Sequence, residues 1–89
     1  MRFTWDPTKA ASNLAKHGVA FEAVEGFEWS EALIIADVRV TYDEPRMKAL
    51  APIGDHLYAL IFSVERRAVR VISLRKANRR EFDQHDAET

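Results

Sequence analysis

Two arginines set into an apolar run pose the chemical question of this sequence. Val69, Val71, Ile72 and Leu74 leave almost no polar alternation around Arg70 and Arg75, which is the pattern of a strand covered on both faces. A guanidinium cannot be buried unpaired, because its desolvation is too costly. Each arginine therefore meets an internal carboxylate, reaches the rim of the fold, or faces something anionic. Arg70 and Arg75 stand five positions apart, so on a regular strand they point to opposite faces. A single site using both needs Arg75 beyond the strand end, in the turn before Asn78. The internal alternative is a structural clamp onto Glu44, Glu65 or Glu81.

The charge pattern asks the same question on a larger scale. The formal net charge is -1, but it is unevenly spread. Between positions 21 and 44 stand Glu22, Glu25, Glu28, Glu31, Asp37, Asp43 and Glu44 against Arg39 alone. Between 66 and 80 stand Arg66, Arg67, Arg70, Arg75, Lys76, Arg79 and Arg80 with no acid. Such a dipolar molecule can hold a polyanion on one side, or the two blocks can neutralise each other across the fold.

The elements that must carry these groups follow from capping and periodicity. Arg2 to Trp5 alternates like a short edge strand. Asp6-Pro7 is a helix start, Gly18 a left-handed stop, and the helix between them puts Ala10, Asn13, Leu14 and His17 on one face, with Lys9, Ser12 and Lys16 on another. Phe21 to Trp29 reads as a second helix with Val24 and Phe27 inward, weakened by Gly26. Ala32 to Tyr42 alternates as a strand, ended by Asp43-Glu44-Pro45. Met47 to Ile53 is a further strand, placed at an edge or ended early by Pro52. Gly54-Asp55 is a hairpin signal, His56 to Val64 a central strand, and Glu65-Arg66-Arg67 a turn. After the arginine-bearing strand, Asn78 and Glu81 form a capping box that opens a polar C-terminal helix anchored by Phe82. The expected fold class is α+β: two N-terminal helices packed on a mainly antiparallel sheet, with a C-terminal helix, in the order β-α-α-β-β-β-β-α.

At 89 residues the chain reads as one domain, 1–89, with a modest core. An apolar fraction of 47% with 30% charged residues makes it globular rather than disordered. No apolar run is long enough to cross a bilayer, and no cleavable signal is visible. The chain has no cysteine and its three histidines are scattered, so neither disulfides nor a metal-ligand spacing is present. The expectation is a cytoplasmic protein with no metal and no cofactor. Trp5, Phe21, Phe27, Trp29 and Phe62 are read as core, with base stacking open to Trp5 or Trp29.

These residues resemble a known family. Phe3-x-Trp5-Asp6-x-x-Lys9-x-x-x-Asn13-x-x-Lys16-His17-Gly18-Val19-x-Phe21-Glu22 at the start, Glu44-x-Arg46 and Gly54 in the middle, and Glu65-Arg66, Arg70-x-Ile72-Ser73-x-Arg75-x-Ala77 and Arg79-Arg80-Glu81 at the end look like the BrnT toxins of bacterial type II toxin–antitoxin systems. The likeness runs over nearly the whole chain and is weakest between Trp29 and Tyr42. It implies a compact RelE-like fold and an endoribonuclease that blocks translation. The implied partner is a BrnA-like antitoxin with a ribbon-helix-helix DNA-binding domain, through which alone the complex would reach operator DNA. Where family members often carry a tyrosine near the end of the last helix, this chain has His85.

A metal-independent ribonuclease turns the ribose 2′-hydroxyl against the neighbouring phosphate. It needs a base, an acid, and cations for the charge that builds on phosphorus. Arginine suits the last task, because its planar fork can hold two phosphate oxygens at once. On this reading Arg70 and Arg75 contact phosphate, and His17 and His85 are the candidates for proton transfer, since an unperturbed imidazole titrates at about 6.5. His56, beside the hairpin turn, is a weaker candidate. Arg66, Lys76 and Arg79 are the expected RNA-backbone contacts. Weighed against these are the bland readings: a half-buried hydrogen-bonded His17, solvated turn arginines, and a toxin-like subunit that only binds an antitoxin and operator without cutting RNA.

Overall fold

Capping and side-chain spacing account for most of the elements. The structure, a computed structural model, describes residues 1–36 and 45–88. Strand β1 (Arg2–Thr4) leads into helix α1 (Pro7–His17). The Asp6 carboxylate accepts from the Thr8 amide at 2.8 Å. Gly18, at φ 71°, closes the helix by donating its N–H to the Leu14 carbonyl. Both ends lie where the sequence places them.

The expected second helix is a correction. Its residues form two 3₁₀ turns, Phe21–Gly26 and Trp29–Glu31, with no side-chain cap on either. The reason lies in the spacing. Phe21, Val24 and Phe27 recur every third residue, as do Glu22, Glu25, Glu28 and Glu31. A 3₁₀ helix has three residues per turn and eclipses such positions, so one side is apolar and the other acidic. Phe21, Val24 and Phe27 are buried.

Strands β2 (Leu33–Ala36), β3 (Met47–Ile53), β4 (His56–Glu65) and β5 (Ala68–Lys76) follow, and then helix α2 (Arg79–Glu88). The sheet order is β1-β5-β4-β3-β2. β1 runs parallel to β5, and the remaining pairs are antiparallel. The protein is thus a mixed α+β fold on a five-stranded sheet. The part of the expected second strand from Asp37 to Tyr42, its Asp43-Glu44 break and the first residue of the Glu44-x-Arg46 motif lie outside the described residues.

β3 is not at an edge, because β2 pairs along its outer side. Yet that pairing runs only from Met47 to Leu50, so Pro52 lies past the end of β2. There its carbonyl accepts from the Glu28 amide at 3.0 Å, and its missing N–H leaves no gap in the ladder. At the hairpin, Gly54 has φ 60°, as the Gly-first turn requires.

One sheet face carries the core. Ala49, Ala51, Leu60, Phe62, Val69, Val71 and Leu74 meet Val19, Phe21, Val24 and Phe27. Trp29 joins Phe3, Phe27 and Phe62, with ring centroids 6.5, 4.9 and 5.5 Å away, and Trp5 packs edge-on against Phe21. The aromatic residues are core, as expected. Leu14 is not: 51% of it is exposed.

Two features of β5 set the rest. First, its register with β4 slips between Ile61 and Phe62: Phe62 faces Val71 and Ile61 faces Ser73, so Ile72 is an extra, bulged residue. Arg70 lies opposite Ser63 and Arg75 opposite Ala59. Those partners sit an even number of residues apart on β4, so the two arginines share the face away from the core. This corrects the opposite-face expectation for a regular strand. Second, β1 accompanies β5 only as far as Arg70. Beyond that point the Asn13 amide from α1 serves as β5's neighbour. Its Nδ2 donates to the Leu74 and Val19 carbonyls at 2.7 and 3.0 Å, and its Oδ1 accepts from the Leu74 amide at 3.2 Å.

Asn13 is buried, so removing its amide leaves backbone groups without partners. Asn13→Leu is expected to lower unfolding stability by about 3 kcal/mol. Asn13→Asp, which cannot donate to the two carbonyls, is expected to be no better. Urea titrations of both variants check this; midpoints equal to the parent's would show the amide to be dispensable.

Candidate functional site

Arg75 and Arg70 share a face but not a fate. Arg75 stays within β5 rather than beyond its end. It takes the internal alternative, with its Nη1 and Nη2 on Glu81 Oε1 and Oε2 at 2.7 and 2.9 Å. Lys48, reaching across from β3, donates to Glu81 Oε2 at 3.0 Å. The same carboxylate closes the capping box: it accepts from the Asn78 amide at 3.0 Å, while Asn78 Oδ1 accepts from the Glu81 amide at 2.9 Å. Glu81 is only 3% exposed. Burial alone would raise its carboxyl. The donors from Arg75, the Asn78 backbone and Lys48 outweigh that, and hold it down from 4.5 to about 2. Glu81, not Phe82, therefore anchors α2 to the sheet; Phe82 is 51% exposed.

Arg70 has no such acid. It is half-buried and lines a cavity of about 220 Å³ with Arg2, Thr4, Glu65, Arg66 and Ala68. Among the described residues no side-chain hydrogen bond or ion pair engages Arg2, Arg66, Arg70 or Glu65. Arg66 sits in the β4–β5 turn at φ 49° and Arg67 at φ 63°. The left-handed region costs L-residues about 1–2 kcal/mol each, and a two-residue turn of this hand favours Asn-Gly. Two arginines there are strained.

A second cavity, of about 180 Å³, lies between α1 and β5 and is lined by Lys9, Ser12, Asn13, Lys16, His17, Ile72 and Ser73. Its floor is set by the Asn13 bonds and by the bulge, with Ser73 Oγ 3.4 Å from Asn13 Oδ1. His17, half-buried, here stands with two lysines whose helix face had set them apart from it in the sequence. An imidazole with two ammonium groups on one concave surface can move a proton beside a phosphate and neutralise charge on it.

The other sequence candidates do not gather with these. His85 Nε2 is 2.7 Å from the Glu31 carbonyl; a carbonyl only accepts, so that nitrogen donates. Arg79 pairs with Asp83 at 3.1 Å on the surface, a contact of little energetic weight. Lys76 and His56 are exposed. Sequence reasoning missed Lys9 and Lys16 as partners of His17, and Arg2 and Thr4 as partners of Arg70. For Asn13 the sequence offered only a shared helix face with Ala10, Leu14 and His17; its burial, and with it the need of its amide for partners, shows only in the fold. Among the described residues no three His, Cys, Asp or Glu side chains gather as a metal site, none of Glu22, Glu25, Glu28 and Glu31 forms an ion pair with the basic block, and no helix is long and apolar enough to cross a membrane.

Residues 5–81 fit the family model described as ribonuclease toxin, BrnT, of type II toxin–antitoxin system. No curated protein matches the chain.

The Glu81 network makes a testable statement about acid stability. Because the folded-state carboxyl lies below its ordinary 4.5, its contribution is fully present above pH 4.5 and is lost as pH falls towards 2. A shift of this size corresponds to about 3 kcal/mol. Glu81→Gln is expected to be destabilised by about that amount at neutral pH, with the gap from the parent closing between pH 4.5 and 2. Urea denaturation at stepped pH reads it out.

Proposed function

The chain belongs to the BrnT family of ribonuclease toxins of type II toxin–antitoxin systems, and from that premise we propose that it is a metal-independent endoribonuclease whose reaction centre is the α1–β5 cavity. The observation that supports this most is the convergence of His17, Lys9 and Lys16 on one concave surface beside the β5 bulge. In this reading RNA phosphate lies between the two ammonium groups. His17 takes the proton of the 2′-hydroxyl as that oxygen attacks phosphorus, and the lysines neutralise charge on the phosphorane oxygens. The leaving 5′-oxygen gains a proton from the same imidazole or from water, and the product carries a cyclic phosphate. Arg75 and His85, each engaged with an internal acceptor, act as framework rather than in the reaction.

The sheet with helices on both its faces supports a RelE-like assignment. The proposed biological role is cytoplasmic: RNA cleavage that inhibits translation until an antitoxin, of the BrnA kind with a ribbon-helix-helix domain, neutralises it.

Two measurements test the reading. Induction of the chain alone should arrest bacterial growth, and co-expression with its adjacent small gene should relieve it; the absence of arrest would favour a non-catalytic binding subunit. In vitro, cleavage of a labelled RNA should persist in excess chelator, and His17→Ala should slow it about 10²–10⁴-fold with the unfolding midpoint preserved. An undiminished rate in that variant would remove the imidazole from the reaction.

A further inference from the structure

The Arg70 cavity is left over once the reaction has been assigned to the α1–β5 cavity. It holds Arg2, Arg66 and Arg70 against Glu65 alone, and no side-chain hydrogen bond or ion pair among the described residues engages any of the four. A half-buried guanidinium without an acid partner is costly unless water or an anion completes it. Arg75, on the same strand face, has such a partner in Glu81, so the absence of one for Arg70 is particular to this end of the strand.

A second, independent feature points to the same place. The turn that presents Arg66 holds two arginines in the left-handed region, where Asn-Gly would close the hairpin with less strain. Strain of this kind is concentrated at functional sites. Thr4, at the end of β1, adds a hydroxyl that can donate to a phosphate oxygen.

The two cavities meet β5 at neighbouring positions. One is lined by Ala68 and Arg70, the other by Ile72 and Ser73. The nearest of these on β5, Arg70 and Ile72, stand two positions apart, about 7 Å of strand rise, on the scale of adjoining phosphates in an extended single strand. Between those two positions β1 ends, and beyond them Asn13 takes over as the neighbour of β5.

We propose that the Arg2–Thr4–Arg66–Arg70 cavity is a second phosphate-binding subsite, which holds the RNA backbone next to the cleaved linkage and so makes the substrate a single strand that extends past it across the end of β1. This rests on the reaction centre proposed above, but the two fail separately. Arg70 is then a binding residue rather than a member of the reacting group. β1, three residues long, belongs to the substrate surface through Arg2 and Thr4.

The probe is a fluorescein-labelled 2′-O-methyl oligouridylate, two to six nucleotides long, which cannot be cleaved because its 2′-oxygens are blocked. With the full chain, affinity should rise stepwise once the strand is long enough to reach the second cavity. The Arg2→Gln/Arg70→Gln double variant should lose that step. It should also flatten the plot of log affinity against log salt by about 1.4, that is about 0.7 per lost phosphate contact, while Arg2→Lys/Arg70→Lys keeps most of the slope. Arg66→Asn/Arg67→Gly should raise the unfolding midpoint and still weaken binding, so the loss cannot be blamed on unfolding.

A folded double Gln variant with the parent's length dependence and salt slope would overturn the subsite. So would unchanged RNA binding together with lost capture of the co-expressed antitoxin, which would make the cavity a dock for an acidic protein segment. If His17→Ala cleaved RNA normally while the double Gln variant lost its length step, the reaction centre would be wrong and the subsite would stand.

Discussion

Glu81 receives Arg75, Lys48 and the Asn78 amide on one buried carboxylate. Through it β3, β5 and the start of α2 are tied at a single point. Removing one partner from such a group leaves uncompensated charge in a poorly hydrated place, so the three elements hold or loosen together. It also sorts the arginines of β5. The one within reach of α2 is neutralised; the one at the β1 end is not. The two guanidinium groups share a strand face but differ in their partners.

Local chemistry was legible in the sequence wherever it is local in space. Asp6-Pro7 with Gly18, Gly54-Asp55, and Asn78 with Glu81 act within a few residues, and the structure has them as expected. The period-three spacing from Phe21 to Glu31 was equally visible but fits a weak 3.6 pattern nearly as well, so 3₁₀ turns were mistaken for a helix. The bulge at Ile72 was not legible. It depends on how β4 pairs with β5, and a slip of one residue reverses which face every later side chain takes. The partner of Arg75 could be named as one of three acids but not chosen. The gathering of His17 with Lys9 and Lys16 depends on how closely α1 packs on β5, which Asn13 decides from 61 residues away.

The charge pattern found in the chain survives folding in part. Glu22, Glu25, Glu28 and Glu31 line the exposed side of the 3₁₀ turns, and all four are exposed. Lys9, Lys16, Arg2, Arg66 and Arg70 line the two cavities met by β5. With little neutralisation between them, a molecule near zero net charge keeps a directional field, which orients an approaching polyanion more than it strengthens holding. That fits a protein with no large excess of positive charge and yet a discrete cationic strip.

The Asn13 amide has a consequence beyond the site it supports. The backbone of β5 past Arg70 would otherwise be an open ladder, and such edges recruit strands from other molecules. A side chain that supplies one donor and one acceptor to the Leu74 backbone imitates a neighbouring strand without being one. What remains at the margins of the sheet among the described residues is short, three residues in β1 and four in β2. Among the described residues the long, strongly apolar strands β3 and β4 lie inside the sheet, and at Leu74 a side chain occupies the backbone groups that an added strand would need.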